Sequence, residues 1–119
     1  MHWRFVPAVI ASAVMAVWGI GALIRPRSLE SFVGVRAETP LGTSEIRAVF
    51  GGMFIAWGVA AIVLLEPIVF AVLGAAWLAD LAVRIVAVFA DRVPAKQALS
   101  VLGIALAMGV SFLSGYWLA

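Results

Sequence analysis

Apolar residues run along this chain in four long blocks, separated by short polar interruptions. The blocks cover residues 5–24, 46–65, 68–90 and 98–119. At a rise of about 1.5 Å per residue, roughly 20 residues cross the hydrocarbon core of a bilayer. Each block therefore predicts a membrane-spanning helix. Spans so few and so long cannot close a β-barrel, which leaves helices as the way to satisfy the backbone in lipid.

The interruptions carry the punctuation of helix ends. Arg25-Pro26-Arg27 closes the first block with charge and a helix breaker. Glu66-Pro67 separates the second from the third, with Pro67 suited to the first turn of the next helix. Asp91-Arg92-Val93-Pro94 closes the third. Pro7 falls in the first turn of the first span, where its missing N–H costs little. The connection from Arg25 to Glu45 is the only long one. Within it, residues 28–33 predict a short interfacial helix, with Ser28 as N-cap and Gly34 near its end. Residues 38–43 read as a turn, and Thr43 or Ser44 would cap the second span. The pattern predicts a single all-α domain over residues 1–119. It is an integral membrane four-helix bundle whose consecutive helices are antiparallel neighbours.

Composition supports the same class. The chain has 119 residues, of which 66% are hydrophobic and 12% charged, well away from the balance of a soluble domain. Its mean hydropathy is +1.17. The absence of cysteine excludes disulfides and thiolate metal sites. The net charge of +2 comes from scattered loop residues rather than the dense basic stripe of a nucleic-acid binder. Loops one and three hold Arg25, Arg27, Arg36, Arg92 and Lys96, with Arg47 at the membrane edge, against Arg4 and His2 on the opposite side. The positive-inside rule places both loops in the cytoplasm and both termini outside. Trp3, Tyr116 and Trp117 would form an aromatic belt at the outer interface. Arg4 followed by an apolar run also resembles a signal peptide. The run is long, however, and Arg25-Pro26-Arg27 stands where small cleavage-site residues would be, so span one is expected to be retained.

Small residues recur at helical spacing: Gly52, Ala56 and Ala60; Ala71, Ala75 and Ala79; Ala107, Ser111 and Gly115. Such rows allow backbones to approach closely, within one bundle or between copies of the chain.

The candidate chemistry lies in four charged residues. Asp80 and Arg84 stand alone inside the third apolar block, one helical turn apart and on one face. Glu45 and Arg47 open the second block at the same membrane side as Arg84. Together they predict a charge-balanced network. It would either fix the bundle register, with Arg84 reaching toward the cytoplasmic interface, or meet the polar part of a ligand. Trp57 and Trp77 fall near mid-membrane, where they would fill the core or line a cavity, and Asp80 could accept from the Trp77 indole.

Several chemistries lack their parts. With His2 the only histidine, bis-histidine haem ligation within one chain is impossible, and no spaced metal-ligand set occurs. Gly51-Gly52 is a packing doublet, since no Gly-Lys-Ser or Gly-Lys-Thr follows it. Serines 12, 100, 111 and 114 have no histidine base nearby in sequence, so no catalytic residue is assigned. No cofactor is expected.

The segment Ser44-Glu45-Ile46-Arg47-Ala48, together with Asp80 and Arg84, resembles the motifs of a bacterial family. These are small four-span membrane proteins of a domain of unknown function, distantly DoxX-like. The resemblance covers most of the chain. It implies a four-helix bundle in the bacterial inner membrane and no particular activity.

Three functions remain in competition. The leading one is a noncatalytic membrane protein that binds a lipid-like or quinone-like small molecule, or a partner membrane subunit, through Glu45, Arg47, Asp80 and Arg84. The second is a small proton-coupled transporter, although span one lacks an embedded glutamate. The third is an enzyme acting on a lipid-soluble substrate, with Asp80 or Glu45 as the acid–base group. Membrane lipid, a hydrophobic small molecule, a partner membrane protein or a second copy of the chain are the partners this reading allows, and nucleic acid is not.

Overall fold

The computed structural model describes residues 3–33 and 35–118. His2, Gly34 and Ala119 lie outside these, and with them the expectations placed on His2 as a terminal cation and Gly34 as a helix end. Among the described residues there is no strand, and four helices are long and apolar enough to cross a membrane. This is the all-α, four-helix class expected from the apolar blocks. A 3₁₀ turn at Trp3–Phe5 leads into α1 at Val6–Ile24. The short α2 follows at Pro26–Val33. The remaining long helices are α3 at Pro40–Leu64, α4 at Pro67–Ala90 and α5 at Ala95–Trp117.

Two helix starts differ from the sequence expectation, and both have the same cause. α2 begins at Pro26 rather than Ser28, and the Ser28 hydroxyl donates to the Arg25 carbonyl at 2.7 Å. α3 begins at Pro40, six residues before the apolar block. Thr39 is extended, and its Oγ1 accepts from the Gly42 N–H at 3.0 Å. Thr43 and Ser44 already lie inside the helix, with their hydroxyls donating back to the carbonyls of Thr39 and Leu41. Proline's fixed φ suits the first helical position, so a proline after a polar residue starts a helix as readily as it makes a turn. The polar first turns of α3 therefore precede its apolar stretch.

The chain divides into two compact units. One comprises residues up to Val9 together with Leu65 onward, and the other is Ile10–Leu64. In the first unit, α4 and α5 pack as an antiparallel pair through large side chains seated over glycines. A Cβ added at Gly74 would stand 2.7 Å from Leu113 Cγ, one at Gly109 would stand 2.7 Å from Leu78 Cδ2, and one at Gly115 would stand 2.6 Å from Phe70 Cδ2. Phe70 and Phe112 are fully buried. Each glycine thus removes a side chain where the facing helix inserts one, which is how contact is gained between helices when lipid supplies no hydrophobic drive. The pairing face of α4 runs through Phe70, Leu73, Gly74 and Leu78, while Ala75 and Ala79 of the expected small-residue row are exposed. Arg4 closes the end of this unit, its Nη1 donating to the Leu118 carbonyl at 3.1 Å beyond the last turn of α5.

In the second unit, α1 and α3 meet at backbone distance. A Cβ at Gly19 would stand 2.7 Å from the Gly51 carbonyl oxygen, and one at Gly58 would collide with the Ser12 carbonyl. Ala22 and Ile46 form a small buried cluster with Trp18, Ala37 and Phe50 against them. Glu30 ties the loop to α2 by accepting from the Ala37 N–H at 2.8 Å.

Candidate functional site

Asp80 and Arg84 are the only charged residues of the 24-residue α4. A helical side chain leans toward the N-terminus of its helix, so the residue one turn further along reaches back over its neighbour. Here Arg84 Nε donates to Asp80 Oδ2 at 2.7 Å. The Arg84 side chain is thereby drawn toward the middle of the span and away from the α4–α5 connection. This is opposite to the excursion toward the membrane edge that an unpaired arginine at this position would make. The contact uses one donor of five on the guanidinium and one oxygen of the carboxylate. Among the described residues, both Nη groups of Arg84 and Oδ1 of Asp80 have no protein partner. The two side chains remain 35% and 38% exposed. The pair is internally neutral, partly open, and still holds both donor and acceptor capacity.

Trp77 lies one turn before Asp80 on α4 and is half-buried. Arg84 supplies a bond that orients the Asp80 carboxylate.

Glu45 and Arg47 belong to the other unit, where both are exposed on α3. Two positions apart on a helix, they do not face each other. No ion pair joins Glu45 to Arg47, unlike Asp80 and Arg84. Trp57 is also in this unit and is 40% exposed, so it does not fill the core. It ends an aromatic run along α3. Phe54 lies 5.9 Å from Trp57 and 5.7 Å from Phe50 between ring centroids, and Trp18 of α1 meets Phe54 edge-on at 6.3 Å.

One feature of this region escaped the sequence. From Arg47 to Met53, α3 takes π-helical form, with hydrogen bonds spanning five residues instead of four. The Arg47 N–H is shared between the Thr43 and Ser44 carbonyls at the transition. Such widened turns occur often at functional sites. The available signal was the glycine doublet, which lowers helical preference at that point. No metal-binding group of three or more His, Cys, Asp or Glu residues occurs among the described residues. No protein family, curated protein or solved structure matches this chain.

Proposed function

We propose that this chain is a noncatalytic protein of the bacterial inner membrane that binds a hydrophobic small molecule, lipid-like or quinone-like, or a partner membrane subunit, through Asp80 and Arg84. The observation that carries this reading is the partly exposed ion pair inside a span, with the Nη donors of Arg84 left without a protein partner among the described residues. Charge within a membrane span is costly, and it is retained where it faces a partner or a polar cavity. A pair serving only the bundle register would bond across to a second helix; this one bonds within its own. Glu45, Arg47 and the aromatic run ending at Trp57 form a secondary candidate region in the other unit. In the proposed arrangement both termini face outward, loops one and three are cytoplasmic, and α2 lies along the inner interface.

Native mass spectrometry of protein gently extracted from its own membrane tests the reading. A retained non-protein mass, or a stoichiometric partner, is expected on the wild-type chain and should be lost in Asp80→Asn. A bare chain in both would refute it.

A further inference from the structure

We infer that the ligand of the Asp80–Arg84 pair is an uncharged amphiphile whose head offers both carbonyl and hydroxyl groups, as a diacylglycerol does, and not an anionic phospholipid. This rests on the binding role proposed above and specifies its ligand.

Three properties of the pair carry the inference. The first is charge. Arg84 is already matched by Asp80 at 2.7 Å, so the site as a whole is neutral and a phosphate bound at Arg84 would approach the carboxylate as well. The second is hydrogen-bonding capacity. With no partner for them among the described residues, Arg84 keeps its two Nη groups for ligand acceptors, while Asp80 Oδ1 remains to accept from a ligand donor. An ester or keto carbonyl beside a hydroxyl uses both kinds of group, whereas the phosphodiester of an anionic lipid adds only acceptors and a charge, so charge and depth are what exclude it.

The third property is depth. Arg84 lies six residues and Asp80 ten residues before Ala90, the last residue of α4. At about 1.5 Å per residue these positions are roughly 9 and 15 Å inside the helix end. The guanidinium is drawn to the deeper of the two by its bond to Asp80. A lipid phosphate would have to leave the headgroup layer and enter hydrocarbon to reach it, at the penalty that any unscreened charge meets there. An uncharged head carries no such penalty, and its acyl chains remain in the lipid beside the open side of α4.

The test uses the full chain, purified in detergent and stripped of lipid. It is then offered dioleoylglycerol or dioleoylphosphatidylglycerol, and retention is read by native mass spectrometry across a concentration series. Wild type should hold the diacylglycerol more tightly by on the order of tenfold. Asp80→Asn should reverse that order, because an uncompensated Arg84 attracts the anion. Asp80→Glu should keep the wild-type order. Arg84→Gln should weaken diacylglycerol retention by about tenfold without creating anion binding. If Asp80→Asn fails to fold, the Asp80→Glu and Arg84→Gln chains decide, and unchanged diacylglycerol retention in Arg84→Gln overturns the inference. A wild type that prefers phosphatidylglycerol, or an Asp80→Asn chain with unaltered order, overturns the inference but leaves ligand binding standing. A wild type that retains neither lipid and holds a membrane protein in their place also overturns the inference, and one that retains nothing defeats the underlying reading too.

Discussion

Ile46 and Gly51 are five residues apart on α3, yet both are buried against α1. In a regular α-helix a spacing of five turns the second residue well away from the first. The π-helical stretch from Arg47 to Met53 absorbs the extra residue and keeps both on one face. From Gly51 onward the buried positions continue through Gly58 and Ala61 at ordinary helical spacing. Gly52, Ala56 and Ala60, the row that looks like a packing stripe in the sequence, are consequently exposed.

Gly52 of the doublet and Gly58 beyond it should therefore respond differently to a methyl group. Gly58→Ala drives a Cβ into the Ser12 carbonyl, which is backbone and cannot rotate away. A loss of about 1–3 kcal/mol is expected. Gly52→Ala meets nothing within 4 Å and should be neutral or slightly stabilising. Equilibrium unfolding in mixed detergent micelles measures both. Equal losses at the two positions would mean that the face assignment is wrong.

The long helices were legible because lipid demands runs of apolar residues, and four such runs cannot be mistaken for anything else. Their faces were not. In Gly52-Ala56-Ala60 the spacing is right for close packing, but it assumes an unbroken α-helix through Gly51, and the π turn shifts the phase by one residue. The pairing of α4 with α5 was expected from their short connection, but, Gly115 apart, the residues that make the contact were not. It pairs a large residue with a glycine on the opposite helix, as Leu78 with Gly109, so no single-helix stripe displays it. The Asp80–Arg84 pair was legible because charge inside a span is conspicuous and i,i+4 spacing has one geometric meaning. Its orientation toward mid-span follows from helix geometry alone. The separate fates of Glu45 and Arg47 follow from the same geometry, since i,i+2 neighbours diverge.

Arg92 makes the turn between α4 and α5 with φ of 55°, a left-handed conformation that burdens any residue with a Cβ. It follows Asp91, the C-cap of α4, where glycine is the residue most often found. Arg92→Gly should raise stability by roughly 0.5–1 kcal/mol, relief of the backbone exceeding the added entropy of the unfolded chain. A thermal melt in detergent that moves downward would show that the Arg92 side chain makes a compensating contact.

The proposed orientation predicts a definite labelling pattern. The chain contains no cysteine, so single substitutions report without background. Lys96→Cys, at the start of α5, should be shielded from an impermeant thiol reagent added to intact cells. Glu66→Cys, between α3 and α4, should be labelled. The basic residues 25, 27, 36, 92 and 96 flank the first of these positions and none flanks the second. The reverse pattern would invert the topology, and labelling of both sites in comparable fractions would indicate mixed insertion.

Asp80 and Arg84 should behave as one unit when they are removed. Arg84→Leu leaves a carboxylate alone in the span, and Asp80→Leu leaves a guanidinium. Each should lower stability by about 2–3 kcal/mol, the cost of a single charge at such depth. The double substitution removes both charges and replaces them with side chains that lipid solvates well, so it should be at least as stable as wild type. The expected signature is strong non-additivity in the double-mutant cycle, accompanied in all three variants by loss of the ligand that the wild type retains. Additive losses would mean that the two charges act on separate partners and that their 2.7 Å contact contributes little. A stable double variant without its ligand would instead separate the two roles: the bundle does not need the pair, and binding does.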